Sequence, residues 1–116
     1  MVEIAQGRRL AAILAADVVG FSALVERDEA ATLAAVEADR RDHLDPLIAR
    51  YGGRVFKTMG DGLLAEFASV VEAARCALAV QRGMAARHEE SAQDMRMSYR
   101  IGIHLGDVVA VGHDVM

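Results

Sequence analysis

The sequence predicts a single α+β domain, and three observations carry that expectation. An apolar run with β-branched residues, RLAAILAADVV at residues 9 to 19, ends at Gly20. Two stretches of apolar residues at three- and four-residue spacing follow, at residues 28 to 51 and 69 to 89. Between them, RVFKTMGDGLLAEF at residues 54 to 67 sets two apolar arms about an Asp-Gly turn, a strong short-range hairpin signal. With a last apolar stretch near the C-terminus the order is strand, helix, strand, strand, helix, strand. That βαββαβ order suggests a ferredoxin-like antiparallel sheet with two helices on one face and the third strand beside the first.

Each element has its own justification. Residues 9 to 19 carry no charge between Arg9 and Asp17, which suggests a strand buried on both faces with Asp17 at its C-terminal end. From Asp28 to Tyr51, Leu33, Val36, Leu44, Leu47, Ile48 and Tyr51 recur at helical spacing. Asp28 and Glu29 suit a helix N-terminus, and Gly52 with Gly53 ends the pattern. Pro46 lacks an amide donor and crowds the preceding turn, so a kink or division is expected near Asp45. Ser69 and Glu72 form a capping box for a second helix, whose expected apolar face is Val71, Ala74, Leu78 and Ala85. Glu89 to Asp94 reads as a loop. MSYRIGIHLGDVVAVG then reads as a strand pair joined near Gly106 and Asp107, with Asp107 a turn residue.

Composition narrows the function. At 116 residues and 53% hydrophobic content, one core can form without disulfides or metals. No apolar run approaches the ~20 residues of a membrane helix, and no secretory h-region precedes Arg8, so a cytoplasmic protein is expected. Cys76 sits in a helical apolar pattern and reads as a small buried hydrophobe. A net charge of −4 without a basic block argues against nucleic acid as a partner. Lys57 is the single lysine among thirteen basic residues.

The expected topology brings Asp17 and Asp61 to one end of the sheet. Two carboxylates with no Lys or Arg beside them in sequence would repel and raise each other's pKa unless a cation intervened. Mg²⁺ takes oxygen ligands and often only one or two carboxylates, completing its shell with water and substrate phosphates. Gly20, Gly60 and Gly62 flank the pair and allow close approach of a bulky anion. The segment VVGFS, residues 18 to 22, leads from strand toward helix, where backbone amides can hold phosphate. His104 reads as a rim or core histidine. His43, His88 and His113 have no companions at metal-ligand spacing.

Three separated blocks, AAILAADVVGFSALVE at residues 11 to 26, GGRVFKTMGDGLLAEF at 52 to 67 and RIGIHLGDVV at 100 to 109, together resemble the class III adenylate/guanylate cyclase catalytic domain. The resemblance implies a palm-type cyclase fold and a homodimer with two active sites at the interface, each making a 3′,5′-cyclic nucleotide and pyrophosphate. It implies that Asp17 and Asp61, with the Val18 carbonyl, hold two Mg²⁺ or Mn²⁺ ions per site, and that the backbone at Gly20, Phe21 and Ser22 contacts phosphate. Phe21 is equally readable as an apolar staple onto the next helix. Lys57 matches the purine-reading lysine and would donate to adenine N1 from the opposite subunit, a contact that guanine with its protonated N1 cannot accept. Asp114 matches the residue that accepts from the adenine amino group. ATP is therefore the expected substrate.

The family continues into a helix bearing an asparagine and an arginine that stabilise the transition state, and neither is in these 116 residues. The resemblance thus implies that residues 1–116 are the N-terminal portion of the catalytic domain, with little or no activity by themselves. Two alternatives remain open at this stage: a non-catalytic nucleotide-binding or dimerisation module with the cyclase fold, and a guanylate cyclase. A diguanylate cyclase is disfavoured because its acidic Gly-Gly turn is absent.

Overall fold

The computed structural model describes residues 8–90, 97–111 and 114–115, with side chains at 10–89 and 97–107. Strand β1 (Arg8–Val18) leads into helices α1 (Phe21–Arg27) and α2 (Glu29–Asp39), a π-helical turn (Arg40–Leu44) and α3 (Asp45–Arg50). Strands β2 (Arg54–Met59) and β3 (Gly62–Phe67) form the hairpin; α4 (Val70–Glu90), β4 (Tyr99–Val111) and the two-residue β5 (Asp114–Val115) follow. The sheet order is β2-β3-β1-β4-β5, and the neighbours pair antiparallel throughout. The βαββαβ α+β expectation is met, with β3 and β4 on either side of β1.

Strand alternation divides the sheet into a covered and an open face. Ala12, Leu14, Ala16 and Val18 of β1 join Leu63, Ala65 and Phe67 of β3 under the helices, in one cluster with Val36, Leu44, Ile48, Ala73, Cys76, Val80 and Met84. On the other face Ala15 is exposed and Asp17 half-buried. Among the described residues Ala11, with Ile13 and Phe56 against it, makes a small second cluster there. The expectation of a first strand buried on both faces is therefore corrected. Its odd-numbered positions include the small residues Ala11 and Ala15 between the charged Arg9 and Asp17, so the unbroken apolar run does not report two-sided burial.

The first helical arm is broken twice, for identifiable reasons. Asp28 is extended (φ −162°) and caps α2, its Oδ1 accepting from the Ala31 amide at 3.1 Å. Farther on, the chain widens so that the Asp45 amide donates to the Arg40 carbonyl, five residues back. Pro46 stands in the first turn of α3, where its missing amide costs nothing, while its ring would crowd the carbonyl of Asp42 in a regular helix. The division falls where it is expected: the π turn ends at Leu44 and α3 begins at Asp45.

The Ser69 half of the capping box at α4 forms, with the Glu72 amide donating to Ser69 Oγ at 3.1 Å, while Glu72 Oε1 accepts from Arg75 Nη1. Its buried face is Ala73, Cys76, Val80 and Met84, whereas Val71 and Leu78 are exposed. The expected face is thus corrected by a rotation, because an alanine-rich helix presents apolar residues on more than one side. Cys76 is fully buried, and burial pushes its thiol pKa up to about 11. Strand β4 runs unbroken through Gly106 and Asp107, which pair with Ala11 and Leu10. The expected turn there gives way because β1 offers a continuous partner. The expected loop at Glu89 to Asp94 falls largely outside the described residues.

One contact ties the π turn to α4. His43 Nε2 donates to the Val80 carbonyl at 2.9 Å, and its ring occupies the space over Gly83, where an added Cβ would overlap His43 Cε1. Gly83→Ala is expected to displace the ring and destabilise the domain, since a lost hydrogen bond of about 1 kcal/mol and the displaced packing outweigh the helical gain. In a His43→Ala background the same substitution should stabilise by about 1 kcal/mol, the ordinary Gly-to-Ala gain within a helix. Urea denaturation of the four-member cycle checks the change of sign.

Candidate active site

The site is built where β1 ends and the β2–β3 turn begins. The Val18 amide donates to Asp61 Oδ2 at 2.8 Å. The next amide, Val19, donates to the Ser98 carbonyl at 2.8 Å. Asp61 is therefore anchored on the backbone that immediately follows Asp17, although the two acids are far apart in the chain. Gly62 makes the approach feasible: a Cβ there would sit 3.3 Å from the Ala16 carbonyl oxygen and 3.7 Å from the Asp17 Cβ. Gly60, at φ +55°, turns the chain between the hairpin arms in a conformation that side chains disfavour.

Asp17 has a partner that the sequence analysis missed. Arg100, directly opposite in the β1–β4 register, donates from Nε and Nη2 to Asp17 Oδ1, both at 3.1 Å. The expectation of two acids with no basic residue beside them is thereby corrected for Asp17. The signal in the sequence was a lone arginine opening the RIGIHLGDVV segment.

Gly20 adopts the left-handed conformation (φ +68°) and starts α1 without a side-chain cap. The first amides of that helix have no intrahelical partner. Ser22 is exposed, and the Phe21 ring packs partly buried against the main core, as the apolar-staple reading has it. Lys57 is exposed on β2. A bulge at Phe56 pairs Lys57 with Leu64, and Leu64 pairs with Ala15, so Lys57 lies on the same open face as Asp17. From ordinary strand spacing and rise, the two Cα atoms are roughly 12 Å apart. Among the described residues Lys57 makes no ion pair. Asp114 pairs through its backbone with Val111, and its side chain lies outside the described residues.

The donor set suits a hard divalent cation. Asp17 and Asp61 offer carboxylate oxygens of the kind Mg²⁺ and Mn²⁺ take. Among the described residues no group of three or more His, Cys, Asp or Glu side chains gathers to form a closed metal cage. A cation here would therefore complete its shell from backbone oxygen, water and phosphate. His104 is exposed on β4, and His88 Nε2 donates to the Met97 carbonyl at 2.6 Å, a structural contact.

Comparison with known proteins decides the family. The profile of the Adenylate and Guanylate cyclase catalytic domain matches residues 4–115. The chain belongs to this family. A Rhizobium meliloti protein named "Putative adenylate cyclase 3" is 47% identical over 108 residues, which are 93% of this chain and 18% of that protein. A crystal structure described as an adenylate/guanylate cyclase/hydrolase from Silicibacter pomeroyi superposes with a TM-score of 0.84 at 47% identity, over 94% of this chain and 63% of that one. A bacterial light-regulated adenylyl cyclase shares the fold at a TM-score of 0.78 and 22% identity, over 93% of this chain and 35% of its own. This cyclase domain thus spans under two thirds of the solved relative and about a fifth of the Rhizobium protein. Among its described residues no helix is long and apolar enough to cross a membrane.

Proposed function

We propose that this cyclase domain acts on ATP, closing the ribose 3′-hydroxyl onto the α-phosphorus to give 3′,5′-cyclic AMP and pyrophosphate, in a homodimer whose subunits each lend residues to both sites. The observation that supports it most is the joining of Asp17 and Asp61 through the Val18 amide. In this reading Asp17, Asp61 and the Val18 carbonyl hold two Mg²⁺ or Mn²⁺ ions. When bound, such ions acidify a hydroxyl and neutralise triphosphate charge.

The chain's own residues supply the rest. The Val18 amide keeps Asp61 in place through the reaction. The turn at Gly20, Phe21 and Ser22 offers backbone amides to phosphate oxygens. Arg100, at the same end of the sheet, adds a cationic group for the leaving pyrophosphate. Lys57, on the open face that a second subunit would cover, donates to adenine N1, and Asp114 accepts from the adenine amino group. The name of the Rhizobium relative favours ATP over GTP.

The test is cyclic nucleotide production by the natural full-length protein with Mn²⁺ and either ATP or GTP. ATP should be the better substrate, and Lys57→Ala should raise KM for ATP while narrowing the preference. Faster turnover of GTP would make this a guanylate cyclase. Binding of ATP without turnover of either nucleotide would make it a non-catalytic nucleotide-binding module.

A further inference from the structure

With Asp17 and Asp61 as the cation site proposed above, the Asp17–Arg100 pair bears on how a cation enters it. Both Nε and Nη2 of Arg100 address one oxygen, Asp17 Oδ1. With the side chain of Arg100 70% exposed, such a pair would ordinarily be worth little, because ordering two long side chains in water offsets the attraction. Here the backbone has already been ordered.

Three successive carbonyls at the entry to β4 are held. Met97 accepts from His88, Ser98 from the Val19 amide, and Tyr99 from Gln81 Nε2 at 2.8 Å. The Tyr99 side chain is buried, and its hydroxyl donates to Asp39 Oδ2 at 3.1 Å. Asp39 is itself gripped through Oδ1 by Arg87, at 2.9 and 3.2 Å. Burial and the adjacent Asp39 carboxylate push the Tyr99 hydroxyl pKa upward, so it stays a donor. Arg100, the next residue, is thereby delivered opposite Asp17 with its main chain fixed, and only the outer side chain remains to be ordered.

We infer that Arg100 is a built-in counter-ion that holds Asp17 against free divalent cations until an anionic substrate draws the guanidinium away. Asp61 has no comparable cationic partner among the described residues; its Oδ2 is held by an amide. A divalent ion seated on both carboxylates must displace the guanidinium from Asp17 Oδ1 or sit within a few ångströms of it. In either case cation binding is penalised while the positive group stays. A phosphate chain relieves both costs at once by pairing with the guanidinium, so cation and nucleotide bind with positive coupling.

The experiment is Mn²⁺ binding without nucleotide, measured by electron paramagnetic resonance on the natural full-length protein, its Arg100→Gln variant, and Asp17→Asn in both backgrounds. Because residue 100 is exposed, Arg100→Gln should fold normally. Removing a unit charge about 6 Å from a divalent ion is expected to tighten Mn²⁺ binding about tenfold, and Asp17→Asn should abolish that gain. A parallel Mg²⁺ titration followed by the Arg100 Nε–H resonance should shift that signal in the wild type. Equal or weaker Mn²⁺ binding by Arg100→Gln overturns the counter-ion role while leaving Asp17 and Asp61 as the cation site. Absence of Mn²⁺ binding from every protein, or binding that survives Asp17→Asn, overturns the site itself and the counter-ion role with it.

Discussion

Asp61→Asn is expected to leave the melting temperature within a few degrees of wild type and to lower cyclic nucleotide formation by about 10² to 10³ or more. The amide oxygen of asparagine can still accept from the Val18 N–H, so the bond that closes the β2–β3 turn onto β1 survives. What is lost is the negative charge, and with it, on the function proposed above, one of the two carboxylates that would hold a divalent cation. Asp61→Ala removes the acceptor as well. It should show the same loss of activity with a further destabilisation of about 1 kcal/mol, the ordinary net worth of such a bond. The pair of variants separates the structural from the chemical part of one side chain. Activity of Asp61→Asn within a few-fold of wild type, in a standard turnover assay beside a thermal melt, would refute the role given to this acid.

Phe67→Ala should produce the largest loss of stability. Among the described residues Phe67 is the largest of the fully buried side chains. Its ring lies so close over Gly53 that a Cβ there would stand 2.5 Å from Cε2 and Cζ, and 3.0 Å from Ile48 Cγ2. The ring therefore joins the end of β3 to the exit of α3. Truncation to alanine is expected to cost about 3–5 kcal/mol, a large part of the roughly 5–15 kcal/mol that holds a domain folded. In urea the midpoint should fall sharply with the slope unchanged. An unfolding free energy within about 0.5 kcal/mol of wild type would mean that the strand and helix are held together elsewhere.

The convergence of Asp17 and Asp61 could be read from sequence because it depends on coarse features. A strand ending in Asp, a hairpin turn containing Asp, and a topology that lays the third strand beside the first are sufficient. Arg100 could not be read in the same way. Its meeting with Asp17 depends on the β1–β4 register to the residue, and a slip of one position would send it to the covered face. The same lack of register information made Gly106 and Asp107 look like a turn. In the helices, alanine was the obstacle: α4 offers small apolar residues on several sides, so spacing alone did not distinguish Ala73, Cys76, Val80 and Met84 from Val71 and Leu78. The π turn has no compositional signature beyond Pro46, whose steric demand is felt one turn upstream.

The central position of β1 also has a consequence during synthesis. Of the strands of this domain it is made before the others, yet its β3 partner follows about 45 residues later and its β4 partner about 80 residues later. At ~5–20 residues per second, one edge of β1 waits roughly 4–16 s after the strand itself has been made. During that interval Leu10, Leu14 and Val18 belong to a strand with an unpaired row of amides and carbonyls, the template to which another nascent copy could add. Polysomes translating this message at high density should therefore be where misassembly begins, and slowing initiation should raise the yield of soluble protein more than slowing elongation does.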